Sequence, residues 1–372
     1  MRFPLWLVLS LSLLLSGGCW AAKDIKELSI VSGVAVDPGE RAPYRLTLQF
    51  ADPTAMARER ERPHPFYVKQ AEGQSVLDAV RDISRSDPRQ RLWSHLEMIL
   101  INEELARQES LFQLLDVAHR YNEMRRDVVL ALVSGSDAGR FLRLKLDPPL
   151  LEGSLLRRMN QESFESGESP MTTMLDFLHT KYGEVKDTLM VEMMETEGGI
   201  AYNGAAVLKN GRKVGRVDFP EIRGYLLLKN RLKSGTDVIR TERGKVTVWL
   251  VGEKIKPVVT SLRPLTFSIQ GEIKGFIQEI NTPESFEGIA DFKRLEERVA
   301  RKVTDEIRKS LRTSQRCRAD YCQLGNLLAQ SYPSYWKKVR SEWSDRVWPQ
   351  AKFHIDVSAR LNHSGIQTPK GR

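Results

Sequence analysis

The chain has 372 residues, 41% of them apolar and 28% charged, with 57 Lys and Arg against 48 Asp and Glu for a formal charge of +9. That is ordinary for a folded soluble protein of two or three domains. The positive balance admits nucleic acid, anionic lipid or an acidic partner, but no RNP-type aromatic signature or zinc-finger spacing supports nucleic acid, and a mildly basic surface without a specific target accounts for the charge.

The first residues follow the grammar of an export signal. Arg2 supplies a positive start, and Leu5–Leu15 (LWLVLSLSLLL) is an apolar run of eleven residues. A signal-peptide core takes about 7–15 such residues, whereas a spanning helix takes about 20. Ser16, Gly17, Gly18 and Cys19 come next. This resembles a bacterial lipobox, where a diacylglyceryl group is attached to the cysteine sulfur and the chain is cut just before it. The leucine usual three residues before the cysteine is replaced by Ser16, with Leu15 one position further back. Residues 1–18 are thus expected to be a lipoprotein signal peptide and Cys19 its lipidated product. Two alternatives stay open: cleavage after Ala22, which frees the chain, and an uncut anchor. Two acyl chains hold a protein on a bilayer, where one gives only marginal binding. No later segment reaches the 18 or so apolar residues of a membrane span.

Further along, Ile30–Val36 (IVSGVAV) and Tyr44–Phe50 (YRLTLQF) read as strands joined by the turn DPGER, the second alternating with period two. Met56–Pro65 is a charged, proline-punctuated loop. Ser75–Ser86 has Val76, Val80 and Ile83 on one helical face. Leu96–Ile101 and Asp127–Val133 are short apolar strands, and between them Leu111, Leu114, Leu115 and Ala118 fall at helical spacing within 108–126. Residues 150–197 read as less regular, apart from a helix over Thr172–His179. Asn210-Gly211 between AAVLK and RKVGRV is a strong hairpin signal. A boundary is placed near Thr196–Gly199.

Four strands follow at Lys245–Val251, Val258–Leu262, Leu265–Ile269 and Gly271–Ile280, close together, as in an antiparallel meander. Ile289, Phe292, Leu295, Val299, Val303, Ile307 and Leu311, at spacings of 3, 3, 4, 4, 4 and 4, form one long apolar helical stripe. Glu297 with Arg301 and Asp305 with Lys309 are favourable i,i+4 pairs. Seven Lys and Arg lie between Arg301 and Arg318, suited to the negative end of the helix dipole as well as to lipid or phosphate. Trp336, Val339, Trp343 and Val347 share a helical face that packs onto the sheet, with a membrane interface as the competing reading. Phe353–Leu361 is a closing strand and a polar tail ends the chain. Cys317 and Cys322 sit in RCRADYC. A bridge between them needs a helix break, which Asp320 and Gly325 are able to supply, and both two thiols and an opportunistic bridge stay open.

Chemistry is sparse. His64, His95, His119, His179, His354 and His363 are scattered and make neither HExxH nor a cysteine–histidine metal spacing. There is no G-x-S-x-G elbow, P-loop or strand–GxGxxG–helix. His95 reads as a core or turn residue. Glu103-Glu104, and Asp24 with Glu27, read as solvated faces. The expectation is a protein with no enzymatic activity, catalytic residue, metal or bound cofactor.

Several stretches together resemble one family: Gly18-Cys19-Trp20 followed by IKEL, SHLEMILINEELAR (Ser94–Arg107), EMRRDVVLAL (Glu123–Leu132), GAAVLKNGRKVG (Gly204–Gly215), and YPSYWKKVRSEW with the strand after it. In order and spacing, from Cys19 to Gly365, they are similar to the Ger(x)C lipoproteins, the C subunits of germinant receptors in spore-forming bacteria. Members usually carry Asp directly after the Cys-Trp pair, where this chain has Ala21 and Ala22. The resemblance implies an α+β fold of mixed α/β subdomains, an N-terminal α/β region over 19–196 and a C-terminal antiparallel sheet packed with long amphipathic helices over 197–365, with a tail at 366–372. It implies a position on the outer surface of the spore's inner membrane, beside integral-membrane A and B subunits, in a complex that senses nutrients such as amino acids or sugars. Cys19, carrying the diacylglyceryl group, is the only site residue it transfers. A lipoprotein that binds a small solute directly is the alternative.

Overall fold

A computed structural model describes residues 27–51, 66–120, 123–144, 152–197, 199–241, 244–281 and 289–362. Cys19, the charged loop 56–65 and the tail lie outside them. The described chain opens with strands β1 (Leu28–Pro38), β2 (Tyr44–Ala51) and β3 (Phe66–Gly73), then helix α1 (Val76–Ser86). Next come β4 (Gln90–Leu92), β5 (Met98–Asn102), three short helices α2 (Glu103–Gln108), α3 (Leu111–Leu114) and α4 (Asp116–Arg120), and β6 (Val129–Ser134). Helices α5 (Ala138–Phe141), α6 (Glu152–Glu165) and α7 (Met174–Tyr182) lead to β7 (Asp187–Thr196), β8 (Gly199–Lys209) and β9 (Arg212–Val217).

These strands build one nine-stranded sheet in the order β3-β2-β1-β5-β6-β7-β8-β9, with β4 beside the start of β1. Its middle is parallel: β1 with β5, β5 with β6, β6 with β7. Parallel strands are covered on both faces and so are apolar along their whole length. MILIN of β5 and VLALVS of β6 are buried at every position. The outer pairs are antiparallel hairpins, and β8–β9 turns at Asn210 (φ 51°) and Gly211 (φ 79°), the two positive φ values that a tight hairpin turn requires. One face of the sheet is covered by α1–α4 and α7, packed on Val34, Leu48, Ile99, Leu130 and Met190. Ser75 caps α1 by accepting from Asp78 N, and Thr173 with Asp176 forms a capping box on α7. On the other face α5 and α6 cover β1, β5 and β6.

The rest of the chain packs against the remaining part of that second face. It comprises α8 (Phe219–Leu228), β10 (Gly235–Arg240), β11 (Lys245–Leu262), β12 (Leu265–Asn281), α9 (Ile289–Arg316), α10 (Leu324–Ser331), α11 (Pro333–Val339) and β13 (Lys352–Asn362). A four-stranded sheet runs β10-β11-β12-β13. The stripe on α9 is buried as its spacing demands, from Leu295 to Leu311. It shares one core with α8, the second sheet, and Leu189, Ala205, Val207 and Val217 of β7–β9. The expected division at 196/197 therefore falls inside a hairpin: Thr196 pairs with Gly199, and the first sheet continues through it.

Several expectations differ from the structure. The four meander strands are two long ones, because β11 and β12 run 18 and 17 residues and absorb irregular points as bulges. The last pairing, β12 with β13, is parallel rather than antiparallel. The helical crossover through α9–α11 returns the chain in the same direction as β12. The helical spacing over 108–126 is broken into α3 and α4. Residues 150–197 contain α6 and β7. Asp305 pairs with Arg308 at i+3. The tryptophan segment is not one helix: α11 gives way to a 3-10 turn, a π turn over Trp343–Val347 and another 3-10 turn. Its face does pack inward. Trp336, Trp343 and Trp348 are buried in an aromatic run with ring centroids 5.2 and 5.6 Å apart, ending on Phe353 at 5.6 Å.

Two contacts hold the second half. Gly224 in α8 lies directly on α9, where an added Cβ would sit 2.2 Å from the Glu306 carbonyl oxygen. The edge of β11 beyond Leu250, where β10 no longer reaches, is met by a side chain: Asn230 donates to Ile255 O at 2.7 Å and accepts from Ile255 N at 2.8 Å.

Gly224→Ala is expected to force α8 and α9 apart, with a loss of about 1–3 kcal/mol or more, the cost of overpacking. Urea unfolding followed by tryptophan fluorescence measures it, and an unchanged midpoint would contradict the contact.

Candidate functional site

The carboxyl ends of β6 and β7 meet the β8–β9 ribbon beside α2, and a cavity of about 450 Å³ lies between them. Local structure brings its charged groups together. Asn102, the last residue of β5, caps α2 by accepting from Glu104 N at 2.9 Å. Its amide donates to the buried Asp37 at 3.1 Å, and Asp37 also accepts from Ala138 N and Gly139 N at 2.6 and 2.8 Å. Two bulges then re-aim side chains, as bulges beside sites do. In one, Val191 and Met193 pair with Ala205 and Tyr202, leaving Asn203 and Gly204 opposite Glu192. In the other, Val207 and Leu208 pair with Gly215 and Lys213, leaving Val214 unmatched.

Lys213, 3% exposed, sits 2.7 Å from Glu103 and 2.7 Å from Glu192, itself 2% exposed. Arg107 pairs with Glu103 at 2.9 Å. Burial raises the Glu103 carboxyl, but hydrogen bonds from Lys213 and Arg107 outweigh it and hold the group below its usual range. The Asn203 amide donates to Ser134 Oγ at 3.2 Å and Glu192 at 3.4 Å, and its oxygen accepts from Arg216. The cavity thus holds fixed charges of both signs.

A second cluster lies where the start of β7 and the β8–β9 turn meet the segment before α10. Asp320 accepts from Leu324 N, Gly325 N and Trp343 Nε1 at 3.1, 2.7 and 3.3 Å. Its own N–H donates to Asp187 at 2.8 Å. Asp187 also accepts from Asn210 N at 3.2 Å. Burial, above every other cause, pushes Asp187 up to about 6 and Asp320 up to about 7. Beside the cluster, a cavity of about 280 Å³ is edged by Trp336, which donates to Glu184 at 2.9 Å, and by Lys209, which meets Asp345 at 3.0 Å.

Of the residues singled out in the sequence, Cys19 lies outside the described residues. Helix α9 ends at Arg316, ahead of Asp320, with Arg318 left-handed at φ 51°, and Cys317 and Cys322 are free thiols, half-buried and buried; burial raises both above the ordinary thiol range. His95 is exposed on a 3-10 turn, 3.2 Å from Ser94 Oγ. Glu103 is no solvated bystander but a wall of the cavity, and Glu104 beside it is exposed. Glu192, Asn203 and Lys213 drew no notice in the sequence; the only signal was one carboxylate inside the apolar run TLMVEMM. Among the described residues no group of three His, Cys, Asp or Glu is placed to hold a metal.

Residues 21–196 match the family profile described as spore germination protein N-terminal domain, and residues 203–365 match that described as spore germination B3/GerAC like, C-terminal. The chain belongs to the GerAC-like, or Ger(x)C, family of spore germination proteins. Spore germination protein B3 of Bacillus subtilis (strain 168) is 26% identical over 365 residues, covering 94% of each chain. Spore germination protein KC of the same organism is 20% identical over 394 residues, covering 96% of this chain and 94% of that one. The crystal structure of the GerBC protein has the same fold, with a TM-score of 0.55 and 21% identity, covering 88% of this chain and 96% of that one. The mixed α/β architecture is therefore that of the Ger(x)C proteins.

Lys213→Met leaves the buried Glu192 without its cation while Glu103 keeps Arg107, and this Ger(x)C chain is expected to lose about 3 kcal/mol, as when a buried pair is broken. Pairing the change with Glu192→Leu is expected to restore part of the loss, and a double variant no better than the single in urea unfolding would contradict the pairing.

Stability should also depend on pH. Unfolded carboxyls ionise near 4. Asp187 and Asp320, with Glu306 pushed by burial up to about 7, hold their protons more tightly when folded. Their contribution is whole below pH 4 and is lost as pH rises through 6 to 7. Asp87 has the opposite sign: burial raises it, but Arg89 outweighs this and brings it down to about 2, so its contribution is lost on acidifying below 4. The urea midpoint is expected to peak near pH 4 and to fall from there to about pH 7, less steeply in Asp320→Asn. Equal slopes in the two proteins would rule out Asp320 as a source.

Proposed function

We propose that this chain is the lipid-anchored C subunit of a nutrient germinant receptor. It is tethered through a diacylglyceryl group on Cys19 to the outer surface of the spore's inner membrane and acts by contact with integral-membrane A and B subunits. The observation that carries the reading is the pair of family matches, the first beginning at residue 21, two positions after the cysteine of the lipobox-like segment. The names of the relatives, spore germination proteins throughout, point to the same process. Among the described residues no helix is long and apolar enough to cross a membrane, which fits attachment by acyl chains. The role is that of a non-catalytic binding partner. A solute-binding lipoprotein of the usual kind has two parallel-sheet lobes around a cleft. Here the second sheet is largely antiparallel and shares a core with the first.

Cys19→Ala is expected to release the protein from the membrane fraction and to weaken germination through its receptor. Fractionation and mass spectrometry of the mature N-terminus measure the first, and loss of optical density on nutrient addition the second. Unchanged fractionation would count against the anchor.

A further inference from the structure

We propose that two copies of this chain pair edge to edge through β13, antiparallel across a two-fold axis at Ser358, so that their four-stranded sheets become one continuous sheet. The proposal goes beyond the anchored-subunit reading and does not rest on it. Two-fold pairing asks for a surface complementary to itself. Strand β13 meets that demand in its backbone, its charges and its apolar face.

The backbone leaves an open edge. Strand β13 ends its sheet and pairs only with β12. Along a strand, the N–H and C=O of one residue point to one side and those of the next residue to the other. Leu361 donates its N–H to Glu296 at 2.8 Å and not to β12. The odd-numbered residues of β13 therefore turn their backbone groups outward. Among the described residues no hydrogen bond meets those groups of Phe353, Ile355, Val357 and Ala359. The other side of the same sheet is treated differently, since Asn230 fills the edge of β11 at Ile255. The eleven residues of β13 hold no proline and pair with β12 without a bulge. A long, regular edge of this kind is a template for a further strand.

The side chains select the occupant and the register. Residues 352, 354, 356, 358, 360 and 362 are exposed on the outer face. Among the described residues Asp356 has no ion-pair partner, and Arg360, 68% exposed, reaches only Glu272, at 4.0 Å. On one straight strand Asp356 and Arg360 stand roughly 13 Å apart, too far to meet each other. With Ser358 opposite the partner's Ser358, each Asp356 stands opposite the partner's Arg360. These are non-hydrogen-bonded pairs, in which side chains come closest. Val357 and the partner's Ala359 then exchange backbone hydrogen bonds. On the inner face Ile355, only partly buried in one copy, gains the partner's Leu361 as an apolar neighbour. Shifting the register by two residues sets Asp356 opposite Ser358 or Asn362, and the first of these also sets His354 opposite Arg360. Only the register centred on Ser358 pairs acid with base.

The test uses the full-length chain in detergent. Ser358→Cys places two thiols face to face at the axis, with Cβ atoms about 4.5–5.5 Å apart, near the spacing of a disulfide. Mild oxidation is expected to give a covalent dimer on a non-reducing gel, above the background set by the parent's own three cysteines. Asp356→Cys puts its thiols four residues apart and is expected to stay at that background. Sedimentation equilibrium, with the detergent density-matched, measures the association itself. Asp356→Arg sets like charges opposite each other at two places and is expected to weaken it about tenfold. Asp356→Arg combined with Arg360→Asp exchanges the charges and is expected to restore it. Both residues are exposed, so these changes leave the fold in place. The proposal is overturned if the parent stays monomeric up to about 100 μM, whether its own tail or another protein takes the edge. It is equally overturned if Asp356→Cys cross-links as well as Ser358→Cys, if Asp356→Arg associates as the parent does, or if the exchanged pair fails to restore association.

Discussion

The structure depends on two strands, β7 and β8, that are buried from both sides along much of their length. Successive side chains of β7, β8 and β9 alternate between faces. Met190, Ala206 and Leu208 go to the core under α7, while Leu189, Ala205 and Val207 go to the core under α8 and α9. A slip of one residue would exchange the two sets. Register in this ribbon therefore fixes how the two halves of the chain meet. The halves cannot hinge freely about the β7–β8 turn, because each core lacks a wall without these strands.

Charged residues are buried at the places where this arrangement would otherwise be ambiguous. Arg223 of α8 forks onto Asp237 of β10 with two bonds of 2.9 Å, and Lys302 of α9 reaches the same carboxylate. The three come from three elements, so the network is complete only when α8, β10 and α9 dock together. Lys213 does the same for β9, β7 and α2. Buried ion pairs of this kind add little net stability compared with apolar packing, since desolvation offsets most of their attraction. What they add is a penalty on every packing that leaves one partner alone.

Local period was readable and distant pairing was not. Helix α9 and the Asn210-Gly211 hairpin were plain because each signal lies within neighbouring residues. Strand β11 looked like two because Gly252 and Pro257 interrupt it, yet Gly252 falls at a bulge. Pro257 lacks an N–H, but it stands beyond the reach of β10, where no ladder bond is demanded of it. Helix α8 went unseen because its sequence, FPEIRGYLLL, is buried nearly all round, Arg223 included, and so has no polar face to mark a period. The cavity was illegible for a related reason. Lys213 lies 110 residues from Glu103 and 21 from Glu192, and each is bland alone. The family resemblance succeeded where chemistry failed because it reads order along the whole chain.

Asn230 has a consequence outside the monomer. A strand edge with open N–H and C=O groups is a template on which another chain can lay its own strand. The outer half of β11 is such an edge. Asn230, held at φ 51°, offers Ile255 the donor and acceptor that a neighbouring strand would offer, and the lysines at 254 and 256 place charge on either side. At Ile255 a neighbouring chain would find both backbone groups already taken.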